Sequence, residues 1–190
     1  MKVSILLIIS FLSINIAFTQ SDTLRISPTL KAIGKYDNND KEHGQWIYFY
    51  LTDSIQSKGN YVHGLPTGQW INFYPDGKKH NEVYYSNGLK EGKFIEWDYE
   101  KNEIREVHFH NDTLNGLATW THFEGYKIIT GEYLNGLQHG TWTWYYPNGQ
   151  MESTGDFING KKEGRHYWFN IDGSIRAYED YKDGEVIKNE

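Results

Sequence analysis

No cysteine occurs among the 190 residues. Its absence rules out disulfide staples, thiolate metal sites, a cysteine nucleophile and lipid attachment through sulfur. Proline is scarce, with 4 residues, and nothing in the composition favours helices. An excess of basic charge is also missing. Lys and Arg number 19 against 25 Asp and Glu, a formal net charge of -6. Nucleic acid and anionic membrane reward the opposite balance, so neither is expected as a partner. No serine sits in a nucleophile-elbow pattern and no phosphate loop is present.

The one long apolar run covers residues 3–18, behind Lys2. It is short for a bilayer span of roughly 20 apolar residues. Ala17 and Thr19 place small residues where a signal peptidase cuts. We therefore expect a signal peptide at 1–19, cleaved near Thr19-Gln20. A lead-in or capping segment would follow at 20–33, then one repeat domain at 34–190. The mature chain would be secreted or periplasmic, without stable membrane insertion.

Aromatic residues and glycine fill the space left by what is missing. Trp, Tyr and Phe make up 16% of the chain, and there are 19 Gly, a mix that suits strands and tight turns. Gly44, Gly68, Gly92, Gly116, Gly140 and Gly164 follow one another at a constant interval of 24. Tyr61, Tyr85, Phe109, Tyr133, Phe157 and Tyr181 keep the same interval. Each unit holds two turn signals, such as PDGK at 75–78 and SNGL at 86–89. Asn-Gly and Asp-Gly accept the positive φ of tight hairpins. Between the turns lie runs of strand length. The fold class is therefore all-β: an elongated single-layer antiparallel meander of about six to seven 24-residue hairpin repeats. An even period returns equivalent side chains to the same face in every unit.

Parity sorts the rings. The third and fifth positions after the repeated glycine are nearly always apolar, as in Ile47 and Phe49 or Ile71 and Phe73. The second and fourth positions mix rings with polar groups, as in Trp70 and Asn72 or Phe94 and Glu96. A single sheet has no second layer to bury against, so rings on both faces must supply its cross-strand contacts. A small residue two before the ring of the return strand, as in GEY at 131–133, shares its face and leaves room for that ring to lie across the backbone.

The stretch GEYLNGLQHGTWTWYYPNGQ, residues 131–150, resembles the variant MORN repeat, with its pattern G-x-Y-x-N-G-x-x-x-G-x-W-x-x-Y-x-x-N-G. The resemblance runs from about Ile33 to Glu185. Proteins of this kind are grouped with YwqK-like antitoxin components of bacteria, which implies neutralising or scaffolding a protein partner, a toxin or an envelope protein. The fourth unit departs from the pattern, with Ala118 for Trp and His110-Asn111-Asp112 for x-N-G. The first carries an extra residue between Tyr36 and Gly44. Choline- and glucan-binding repeats match less well, because their period is shorter.

The leading expectation is a non-enzymatic protein that binds a protein partner through an aromatic and acidic sheet surface. Its anchors would be Trp46, Tyr48, Trp70, Tyr74, Trp120, Trp142, Trp144, Tyr146 and Trp168. The irregular third and fourth units would add a polar saddle of Glu96, Asp98, His108, His110 and His122. The alternative is a carbohydrate or cell-envelope module whose rings stack on sugars. Three histidines, His108, His110 and His122, with Glu106 or Asp112, would make a metal site only if they converged, which their spacing does not require. His43 and His139 occupy the same loop slot before a glycine. No metal, cofactor or catalytic residue is expected, since a thin sheet offers no deep dry pocket.

Overall fold

A computed structural model describes residues 23–26 and 31–187. The expected signal peptide lies outside these residues. Among the described residues there are sixteen strands and no helix. They are β1 (Thr23–Ile26), β2 (Lys31–Tyr36), β3 (Glu42–Phe49), β4 (Ile55–Val62), β5 (Leu65–Phe73), β6 (Lys79–Ser86), β7 (Leu89–Asp98), β8 (Glu103–His110), β9 (Thr113–Leu114), β10 (Gly116–His122), β11 (Lys127–Leu134), β12 (Leu137–Tyr145), β13 (Met151–Ile158), β14 (Lys161–Phe169), β15 (Ile175–Lys182) and β16 (Glu185–Val186).

All belong to one open antiparallel sheet in which strands follow sequence order. β9 and β10 share the partner β8, separated at Asn115, whose N–H donates to the His108 carbonyl at 2.9 Å. The meander expected from the repeat is therefore the observed fold. β1 and β2 pair in the same sheet, so residues 23–26 and 31–33 continue it ahead of residue 34.

A bulge recurs in the units and sets the core. In β4, Lys58 pairs Ile71 and Asn60 pairs Thr67, so Gly68, Gln69 and Trp70 all stand opposite Gly59. In β11 the same step sets Gly140, Thr141 and Trp142 opposite Gly131. The glycine that opens each bulge has positive φ, +64 at both Gly68 and Gly140. A glycine in that conformation is how such a bulge starts. Two extra residues preserve parity across this step, whereas nearer the hairpin tips a single extra residue intervenes, as Glu152 does between Ser153 and Met151 opposite Trp144 and Tyr145.

The bulge swings a ring back over the preceding strand. A Cβ added to Gly59 would lie 2.2 Å from the Trp70 indole, and one on Gly131 would lie 2.2 Å from that of Trp142. Small residues on the return strand do make room for a ring. The ring belongs to the next strand, however, rather than to the tyrosine two residues on. That tyrosine meets it edge-on: Tyr133 and Trp142 have centroids 5.1 Å apart at 77°. Each indole N–H is satisfied by a carbonyl of the strand it covers, Trp46 by Lys35, Trp70 by Asn60 and Trp142 by Glu132, all at 3.1 Å.

The second-position row supplies much of the core. Trp46, Trp70, Ala118, Trp142 and His166 are all buried. Wherever glycine lies beneath this slot, a ring covers it. Trp46, Trp70 and Trp142 lie over Gly34, Gly59 and Gly131, and His166 lies over Gly155. In the third and fourth units Phe94 and Ala118 adjoin Val83 and Val107 instead. Ala118 is thus the small member of a pair whose large member is Val107. The departure from the repeat at this position has a packing explanation.

Candidate functional site: the hairpin-tip edge

Burial removes three of the expected anchors from any contact surface. Trp46 and Trp142 are 2% exposed and Trp70 is 7% exposed, so their faces are spent inside the sheet. Tyr48 is half-buried, stacks on Trp46 at 5.9 Å and meets the Tyr61 hydroxyl at 3.3 Å. Burial raises its phenol pKa above the usual range.

Tyr74 and Tyr146 act as rivets between hairpins. Their hydroxyls donate to the carbonyls of Trp97 at 3.1 Å and Phe169 at 2.8 Å, as Tyr50 does to Phe73 at 2.7 Å. Asp98 takes the same slot in the third unit and caps its own turn. Its Oδ1 accepts from the N–H groups of Glu100 and Lys101, both at 3.1 Å, and the Lys101 amide holds its carboxyl below the ordinary value. His122 fills the slot in the fourth unit. Its Nδ1 accepts from the Glu124 N–H at 3.2 Å, and its ring stacks on Tyr126 at 4.6 Å.

The residues of the polar saddle are spread along neighbouring strands rather than clustered at one point. His122 pairs Glu103 across the sheet, whereas Glu106 pairs Thr119. His108 lies five residues beyond Glu103 on β8, roughly 17 Å at about 3.3 Å per residue. The His108 Nδ1 meets the Leu117 carbonyl at 3.1 Å, and His110 pairs with Glu91 at 3.0 Å. Glu96 is engaged by Arg105, whose Nε donates to it at 2.9 Å. The three histidines therefore converge on no common metal site among the described residues.

Arg105 also lines a hollow of about 190 Å³ with Trp120 and Tyr133, beside the small Ala118. Trp120 lies 5.8 Å from Trp142. Trp144 and Trp168 flank Ser153, pairing with it from either side. They line a shallow hollow of about 400 Å³ that also contains Glu152, Lys162 and Arg176.

What the structure adds is an edge. Directly after the rivet slot comes a row of exposed apolar residues at the hairpin tips: Leu51, Pro75, Tyr99, Phe123, Pro147 and Ile171, each 24 after the last. Leu51 is 73% and Ile171 61% exposed; the rings of Tyr99 and Phe123 touch edge-on at 5.3 Å. The next position supplies Asp76, Glu100, Glu124 and Asp172. Tyr74, Asp76, Asp98, Tyr99 and Glu100 enclose a hollow of about 550 Å³. The Lys78 ammonium lies 5.0 Å from the Tyr99 centroid. Sequence reasoning missed this row because its members differ in type. The interval of 24 at positions 51 to 171 was the available signal.

The model of the MORN repeat variant matches residues 42–63, 66–87 and 138–159. A comparison with curated proteins finds no match. Each matched stretch is one hairpin of the sheet, β3–β4, β5–β6 or β12–β13, so the likeness to that repeat rests on the units whose tryptophan lies over a glycine.

Proposed function

We propose that the chain is a non-enzymatic binding strip that docks a basic segment of a protein partner along its hairpin-tip edge. The observation that carries this reading is the row of exposed apolar tips beside a row of carboxylates. Exposed apolar residues in a line invite a partner, whereas scattered ones do not. Rigid rings held by riveted turns lose little freedom on binding, and the carboxylates steer a cationic segment towards them. A partner lysine or arginine would take the place over Tyr99 that Lys78 occupies. A basic toxin would be the antitoxin-like form of this reading, and the apolar segment at 3–18 supports action outside the cytoplasm.

A photo-crosslinking residue placed at Phe123 in the source cell should capture a protein. The same residue at Tyr178, on the sheet face, should not. Equal capture at both positions, or capture at Tyr178 alone, would refute the edge.

A carbohydrate reading is favoured by one observation. Trp144 and Trp168 flank a polar hollow with Glu152 and Arg176 in reach. Retention of the protein on a peptidoglycan or glucan column, lost when Trp144 and Trp168 are replaced by alanine, would favour it over protein docking.

A further inference from the structure

The first unit departs from the others in two places, and the fold brings both together with His43 on the sheet edge opposite the tip row. The extra residue between Tyr36 and Gly44 lengthens the loop joining β2 to β3. Asp37 opens that loop, and its Oδ1 accepts the N–H groups of Asn39 at 2.8 Å and Lys41 at 3.1 Å. These bonds fix the carboxylate and leave Oδ2 2.5 Å from His63 Nδ1.

His63 itself sits in a left-handed turn position, with φ +50. The equivalent residues in later units are Asn87, Asn111, Asn135, Asn159 and Asp183. Short polar side chains are what this conformation prefers, so the turn gives no reason for an imidazole. His43 occupies the slot from which Glu91 and Glu163 accept the N–H of the next turn, from Asn111 and Asp183, each at 3.0 Å. Here it sets a second imidazole 5.3 Å from that of His63. One ligand atom from each of Asp37, His43 and His63 lies within 4.8 Å of the other two.

We propose that Asp37, His43 and His63 form a binding site for a divalent transition-metal ion of the zinc type. Two imidazoles and one carboxylate suit zinc, nickel or copper rather than magnesium or calcium, which prefer oxygen alone. Bonds of about 2.0–2.2 Å would place tetrahedral ligand atoms roughly 3.4 Å apart, so the Asp37–His63 pair opens by about 1 Å to admit the ion. Both imidazoles are exposed and turn without disturbing the core. The two backbone N–H groups on Asp37 orient the carboxylate, as outer-shell partners do in metal sites. The remaining coordination position faces water, so the ion exchanges. Once bound, it ties the β2–β3 loop to the turn between β4 and β5 and stiffens the start of the sheet.

The test is calorimetric titration of tag-free, chelator-stripped protein with zinc chloride. Wild type should take up one ion per chain. His43→Ala and His63→Asn should each weaken binding by about tenfold or more. His63→Asn installs the residue that other units carry, so its fold is retained. His139→Ala, in the equivalent slot of the fifth unit, should bind as wild type does. The proposal is overturned if wild type takes up no stoichiometric zinc, or if His63→Asn binds it as tightly as wild type.

Discussion

At the residue scale a size rule links the fifth and fourth units: a large ring lies over glycine in one, and a small residue lies beside valine in the other. Trp142 over Gly131 is the regular case and Ala118 beside Val107 the inverted one. Trp142→Ala should cost about 3–5 kcal/mol, as removal of a buried indole does. Gly131→Val should be comparably harmful, because its side chain would enter the ring. Together they recreate the fourth unit, so the double variant should unfold well above the temperature expected from summing the two losses. Additive shifts in thermal melting would show that the pair is not coupled.

His166 replaces the tryptophan in the last unit and is 3% exposed, with Nε2–H donating to the Asp156 carbonyl at 2.9 Å. Burial pushes its pKa below the ordinary 6.5. In the unfolded chain the imidazole takes up a proton near that ordinary value, while the folded chain resists until lower pH. The unfolded state therefore binds more protons in between, and stability falls as pH drops below about 6.5. His166→Trp should remove this loss, widening its melting-temperature advantage over wild type from pH 8 to pH 5. An advantage that does not change with pH would contradict it. The rule was half legible. GEY showed the space, but the ring that fills it comes from the next strand, and only the bulged register reveals that.

At the scale of the element, the bulge explains a glycine that packing does not. A Cβ at Gly140 would meet nothing within 4 Å, yet φ is +64. Crowding is therefore not the reason for glycine; backbone conformation is. The interval of 24 marked these glycines as special without telling strain from close approach. Gly140→Asn should be mild, since Asn tolerates a left-handed backbone, whereas Gly140→Val should lower the melting temperature by several degrees, about 2–4 °C per kcal/mol for a chain of this size. A change at the neighbouring Gln138 should do little. Equal shifts for Asn and Val would transfer the explanation to side-chain space.

At the scale of the whole molecule, the period predicted the sheet because an even repeat with two turns per unit admits one continuous meander. It did not predict which rings are free. Parity places Trp46 and Trp144 on one face, but the bulge buries the first and leaves the second half-exposed. Nor did it find the tip row, where the shared property is position at a turn rather than residue type. The metal cluster was hidden for a similar reason: Asp37, His43 and His63 are separated in sequence and meet only through successive turns.

The central claim is that a partner is held at the hairpin tips rather than on the sheet faces. The most direct measurement is the affinity of the crosslinked partner for a chain with Leu51, Tyr99, Phe123 and Ile171 all changed to serine, beside one with Trp144 and Trp168 changed to alanine. Leu51 and Ile171 are largely exposed, whereas Tyr99 and Phe123 touch each other, so the melting temperature of that chain is measured beside its affinity. The tip variant should lose at least tenfold in affinity, about 1.4 kcal/mol or more, and the face variant should bind nearly as wild type does. Wild-type affinity in the tip variant, with the loss falling on the face variant, would contradict it.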